Sequence, residues 1–174
     1  MKVLANDGIS KSGILALEKG GFEVITTKVA QEQVANFVNE KNISVVLVRS
    51  ATKVRKDIID ACPGLKIIGR GGVGMDNIDV DYAKSKGIQV INTPASSSES
   101  VAELVFAHLF SGVRFLHDSN RNMPLEGDTN FEGLKKAYAN GTELRGKTLG
   151  IVGIGRIGQA TAKMALGLGM KVIA

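Results

Sequence analysis

Residues 2–91 alternate between short apolar runs and stretches whose apolar side chains recur every three or four positions. The runs at 2–6, 22–26, 45–49, 66–69 and 88–91 read as strands, and 12–18, 31–40, 56–61 and 80–84 read as helices. The Gly20-Gly21 pair stands where a left-handed cap would stop the first helix. Strict alternation of strand and helix implies a parallel sheet covered on both faces. Five such strands predict a flavodoxin-like open sheet.

The remainder reads differently. A longer helix spans 98–117, with Val101, Leu104, Val105, Leu109, Val113 and Leu116 as its apolar face. Ser96 and Glu99 have capping-box spacing at its start, although three consecutive serines there blur the true cap. Pro94 marks the boundary, which divides the chain into domains 1–97 and 98–174. Residues 118–129 are polar, carry Pro124 and Gly127, and read as a surface loop. A helix at 131–139 and a turn at Asn140-Gly141 lead to a strand at 148–152, a helix at 159–168 and a final strand at 170–174.

Between that strand and helix lies Gly150-Ile-Val-Gly-Ile-Gly-Arg-Ile-Gly158, in which Gly153, Gly155 and Gly158 fit G-x-G-x-x-G. A lone triplet also fits an ordinary βα turn; flanking strand, helix and strand favour a dinucleotide. Gly153 permits the tight turn, Gly155 admits a pyrophosphate, and Gly158 lets helix and strand approach. The helix N-terminus offers unpaired N–H groups to the phosphates. An acid that grips the ribose is expected about 20 residues after the glycines, at or past Ala174. Either the chain is a portion of a longer enzyme whose Rossmann domain opens here, the favoured expectation, or it binds nucleotide without completing the fold.

Composition narrows the partners. The 174 residues are 44% hydrophobic and 22% charged, as in a globular protein. No uninterrupted apolar stretch approaches the length of a membrane span. Cys62 is the one cysteine, which excludes an internal disulfide and suggests a reduced, cytoplasmic setting. The net charge of +5 raises nucleic acid as a partner. Scattered basic residues, 5% aromatics and no Trp argue against it. A modest positive field suits an anionic substrate and cofactor equally well.

In an open α/β sheet, ligands bind beyond the carboxyl ends of the strands. Arg49 and Ser50 close the third strand with donors for a phosphate or carboxylate, although a strand-end salt bridge would look the same. After the fourth strand, Gly69-Arg70-Gly71-Gly72-Val73-Gly74 can turn several N–H groups toward one anion. Arg70 could reach a ligand or pair with a buried carboxylate such as Glu103. His108 is expected beside the helix interface and His117 near the last helical carbonyls. Neither has a partner at metal-ligand spacing.

Several blocks, in order, resemble the D-2-hydroxyacid dehydrogenase family, and within it the branch acting on 3-phosphoglycerate. They are Val48-Arg49-Ser50-Ala51-Thr52-Lys53-Val54, the glycine loop continued through Met75-Asp76-Asn77-Ile78-Asp79, and Asn92-Thr93-Pro94. Val101-Ala102-Glu103-Leu104, Gly141-Thr142-Glu143-Leu144-Arg145-Gly146-Lys147 and the Gly-Ile-Gly-Arg-Ile-Gly motif follow. The resemblance implies a flavodoxin-like substrate domain followed by the opening βαβ of an NAD-binding Rossmann domain. It places the substrate's phosphate side on Arg49 and Ser50, and its carboxylate on backbone groups of Gly72, Val73 and Gly74. Val73 would also lie near the nicotinamide, and the amides of Arg156 and Ile157, between Gly155 and Gly158, would meet the pyrophosphate.

The implied reaction is NAD-dependent oxidation of 3-phosphoglycerate to 3-phosphohydroxypyruvate, which opens serine synthesis. The family's catalytic Arg, Glu and His lie downstream of this chain. A glyoxylate or hydroxypyruvate reductase and an NAD-sensing corepressor of the same superfamily remain the alternatives. Ser97 stands where many relatives have Asn, and Glu99 where they have an apolar residue. The 114–141 segment is longer than usual and lacks a common Trp. That region helps form the dimer in relatives, so a homodimer or higher oligomer with altered contacts is expected.

Overall fold

Five strands form a parallel sheet in the order β2-β1-β3-β4-β5: β1 (Lys2–Ala5), β2 (Glu23–Ile25), β3 (Ile43–Val48), β4 (Ile67–Arg70) and β5 (Gln89–Asn92). This is the flavodoxin-like order, and it reverses direction between β1 and β3. Ile25, Leu4, Val46, Ile68 and Val90 are paired neighbours in one row across the sheet. Leu4, Val46 and Ile68 in that row are almost wholly buried. The computed structural model describes all residues from Met1 to Ala174.

Helices cover the sheet: α1 (Lys11–Lys19), α2 (Val34–Glu40) after a 3-10 turn at Gln31–Gln33, α3 (Lys56–Ala61) and α4 (Val80–Ser85). Val34, Val38, Ile58, Ile59 and Ala83 bring their buried faces to the same core as the strands. Gly21 takes φ +81° after α1, and the amide of Phe22 reaches back to the Leu17 carbonyl, the predicted left-handed stop. Cys62 is buried in this core, and burial raises its thiol pKa, so it is an inert packing residue.

The chain divides into two compact units, Met1–Ser96 and Ser97–Ala174. The second contains α5 (Ser98–Val113), α6 (Leu116–Glu126), α7 (Phe131–Tyr138), β6 (Thr148–Gly150), α8 (Arg156–Gly167) and β7 (Lys171–Ile173). Parallel β6 and β7 are joined through α8, a βαβ unit. Its core is Phe106, Leu144, Ala165 and Met170, flanked by Leu109, Phe110, Val113, Leu149 and Val172.

Four expectations for this unit are corrected. The long helix ends at Val113, because Phe115 adopts a left-handed conformation (φ 55°, ψ 30°) and starts a new helix. Residues 118–129 are mostly helical instead of a loop, with Pro124 inside α6. Two contacts to Tyr138 hold α6 on α7: Asn122 donates to its hydroxyl at 2.7 Å, and the Phe115 ring lies 6.1 Å away. Ser97, not Ser96, caps α5, and no side chain closes a capping box. Finally, α5 buries Ala102 and Phe106, while Leu104 and Val105 are exposed.

Candidate functional site

Beyond the carboxyl ends of β1, β3, β4 and β5 lies a cleft of about 590 Å³. Asp7, Ser10, Arg49, Arg70, Asn92 and Thr93 contribute its polar lining. All belong to the first unit. The position follows from the topology, since the chain leaves β1 and β3 in opposite directions and opens a crevice between them.

Arg49 follows β3 directly, and its guanidinium makes no ion pair or hydrogen bond within the protein. Ser50 is exposed beside it. The backbone on either side of Ser50 is anchored at Arg49 and at Thr52. Asp7 Oδ2 accepts the amides of Arg49 (2.6 Å) and Thr52 (3.0 Å), and its Oδ1 accepts the Thr52 hydroxyl (2.6 Å). From the other side, Asn77 Nδ2 donates to the carbonyls of Arg49 (2.8 Å) and Thr52 (2.7 Å). Buried Asn6 donates to the Thr52 hydroxyl oxygen and also joins both backbone groups of Val29.

Burial alone would raise the pKa of Asp7, but hydrogen bonds from the Thr52 hydroxyl and the amides of Thr52, Arg49 and Ala51 outweigh it and lower the value. The ionised form therefore favours the folded state. That contribution is complete above the ordinary value of 3.8 and is lost as pH falls through the lowered folded value. An Asp7→Asn variant is expected to lose less stability than the parent on acidification below about pH 4. Urea unfolding over a pH series measures this, and identical pH slopes for both proteins would contradict it.

The glycine loop after β4 is tied to the same centre. Gly71 donates its amide to Val48 and Gly72 to Arg70, so neither amide is free for a ligand. The amides of Val73 and Gly74 donate to no protein group, and the Val73 carbonyl accepts from Asn92 Nδ2 at 2.7 Å. The Arg70 side chain folds over Gly72, so a Cβ there would require the guanidinium to move aside. Arg70 pairs with no carboxylate, and Glu103 is exposed, not buried. Downstream, Val54 exchanges backbone hydrogen bonds with Asn77 and Asp79. Asp79 also accepts from Arg55 and from the Lys56 amide. The Arg55 hydrogen bond leads the causes that lower its pKa. Residues 76–79 thus bracket the loops after β3 and β4.

In the second unit, Gly153 has φ +98°, a left-handed turn between β6 and α8. Gly155 is the N-cap of α8, and a Cβ there would meet nothing within 4 Å. A Cβ on Gly158 would overlap the Gly153 carbonyl. The amides of Arg156, Ile157 and Gly158 donate to no protein acceptor, whereas Gln159 donates to Gly155 at 2.8 Å. Two close-packed glycines and three open N–H groups fit a pyrophosphate.

His108 and His117 are both exposed, contrary to the expected packing of His108, and His117 lies in the first turn of α6. No three metal-ligating side chains cluster. Sequence reasoning missed Asn6, Asp7, Thr52 and Asn77. For Asn6 and Asp7 a signal existed, since they follow the strand that borders the crevice.

Among curated relatives, hydroxypyruvate reductase of Thermotoga maritima is 43% identical over 174 residues, covering 99% of this chain and 54% of that protein. D-3-phosphoglycerate dehydrogenase of Methanocaldococcus jannaschii is 39% identical over 173 residues, with 99% and 32% covered. The chain thus spans about half or less of these relatives' length. Among solved structures, cofactor (NAD+)-bound 3-phosphoglycerate dehydrogenase of Entamoeba histolytica superposes with a TM-score of 0.74 at 32% identity, covering 99% of this chain and 52% of that one. The family model described as D-isomer specific 2-hydroxyacid dehydrogenase, catalytic domain, matches residues 3–167, and the chain belongs to that family.

Proposed function

We propose that this chain is part of an NAD-dependent dehydrogenase that oxidises 3-phospho-D-glycerate to 3-phosphohydroxypyruvate. Residues 1–97 would form the substrate domain, and 98–174 the start of the cofactor domain. The observation that carries the reading is Arg49, an unpaired guanidinium on a braced loop in the strand-end cleft. Its planar fork suits a phosphate, and Ser50 adds a hydroxyl. The free amides of Val73 and Gly74 suit the carboxylate at the substrate's other end. Gly72 would contribute only through its lack of a side chain, since its amide donates to Arg70 and its carbonyl accepts from Thr93.

Gly153, Gly155, Arg156, Ile157 and Gly158 would hold the cofactor's pyrophosphate, with Val73 beside the nicotinamide. A nicotinamide bound there would supply the acceptor for a hydride from the substrate's hydroxyl-bearing carbon. The residues of this chain would bind and orient both molecules, and the one acid in the cleft, Asp7, has its oxygens engaged by Arg49 and Thr52 rather than free to take the hydroxyl proton. By family resemblance that task falls to an Arg, a Glu and a His outside the chain. Self-association into a homodimer or higher oligomer is supported by exposed Leu116, Leu125 and Phe131 around the 114–141 segment. No helix is long and apolar enough to cross a membrane. A small anionic substrate in the cytoplasm completes the reading, with no nucleic acid or membrane partner.

The purified 174-residue chain is expected to show no NADH formation from 3-phosphoglycerate. An NADH signal from this chain, free of contaminating dehydrogenase, would overturn the assignment of proton transfer to residues outside it. A second reading, a hydroxypyruvate reductase, draws on the Thermotoga maritima relative. Calorimetric titration with 3-phosphoglycerate and with hydroxypyruvate separates the two. Tighter binding of the unphosphorylated acid would favour the reductase.

A further inference from the structure

Asp7 is the one acid lining a cleft that otherwise offers Arg49 and Arg70. A carboxylate so placed would ordinarily pair with an arginine or repel an anionic ligand. Here its oxygens are occupied by the amides of Arg49 and Thr52 and by the Thr52 hydroxyl. Arg49 stays unpaired, although its own amide lies 2.6 Å from that carboxylate. Asn77 grips the carbonyls of the same two residues from the opposite side. The 49–52 loop is thereby fixed at both ends through donors and acceptors alike, leaving Ser50 and Ala51 exposed between the anchors.

We infer that Asp7 and Asn77 are positioning residues that pre-organise Arg49 for the anionic end of the substrate. The inference rests on the proposed role of Arg49 in substrate binding. Fixing the loop during folding removes an ordering cost that would otherwise weaken binding. Asparagine at position 7 would set an NH₂ against backbone N–H donors, so the loop would lose at least one anchor. Alanine at position 77 would remove both donors to the carbonyls and leave Asp7 in place.

The test is a double-mutant cycle on the protein at its full encoded length, read as the dissociation constant for 3-phospho-D-glycerate. Arg49→Ala is expected to weaken binding by on the order of 30-fold and Asp7→Asn by about tenfold. In the Arg49→Ala background, Asp7→Asn is expected to add less than about twofold, because the residue it positions is gone. Asn77→Ala should show the same coupling, which keeps the test intact if Asp7→Asn folds poorly. A purely structural role would weaken binding equally in both backgrounds. Independent or absent effects of both variants, with Arg49→Ala still harmful, would overturn this inference alone. A silent Arg49→Ala, or a parent that does not bind 3-phosphoglycerate, would overturn the proposed substrate role as well.

Discussion

Replacing Arg49 with alanine in the protein at its full encoded length is expected to cost about 2–4 kcal/mol in kcat/KM for 3-phosphoglycerate. The size follows from its setting. Arg49 lines the cleft, has no internal partner to compensate, and stands on a loop anchored through Asp7 and Asn77. The side chain removed would therefore be one whose backbone is already fixed at the cleft. Lysine at this position should recover only part of the loss, because a point charge replaces a planar pair of donors. With hydroxypyruvate the alanine variant should lose much less, since no phosphate is present to be held. Steady-state kinetics with both substrates check this. An unchanged kcat/KM for 3-phosphoglycerate would remove Arg49 from the phosphate site and favour the reductase reading.

The sheet was legible because its central strands are buried on both faces. Residues 43–48 carry Ile43, Val45, Val46 and Val48, an apolar run that has no solvent side to encode. The glycine loop was equally legible, since Gly158 answers a close contact within its own βαβ unit. The α6 helix was not. Its side chains are polar on average and include Pro124, so its local signal is that of a loop, and its stability comes from Asn122 and Phe115 meeting Tyr138. On α5 the difficulty was excess: apolar residues occupy more than one stripe, and spacing could not choose between Phe106 and Leu104. The clamp around Arg49 was hidden for a third reason. Asp7 and Thr52 are 45 positions apart, and Asn77 and Arg49 are 28 apart. Polar residues at strand ends have no periodicity, so only the topology brings them together.

Substitutions at two glycines of the α8 turn should separate folding from cofactor binding. At Gly158 even a single methyl group would overlap the Gly153 carbonyl, which is backbone and cannot swing aside. Gly158→Val is therefore expected to destabilise the second unit by about 2–3 kcal/mol, as overpacking does. Gly155 differs, because its Cβ position is open and its φ of −67° suits any residue. Gly155→Val should cost no more than about 1 kcal/mol in stability, the scale of a poor N-cap. It should nevertheless abolish NAD binding, since a branched side chain would occupy the space in front of the amides of Arg156 and Ile157 that the pyrophosphate needs. Thermal unfolding and NAD titration, run on both variants at full encoded length, give the two readouts. Parent-like NAD affinity in Gly155→Val would show the loop to be an ordinary βα turn. A loss of stability in Gly155→Val as large as in Gly158→Val would mean that the open space before α8 is filled by protein in solution.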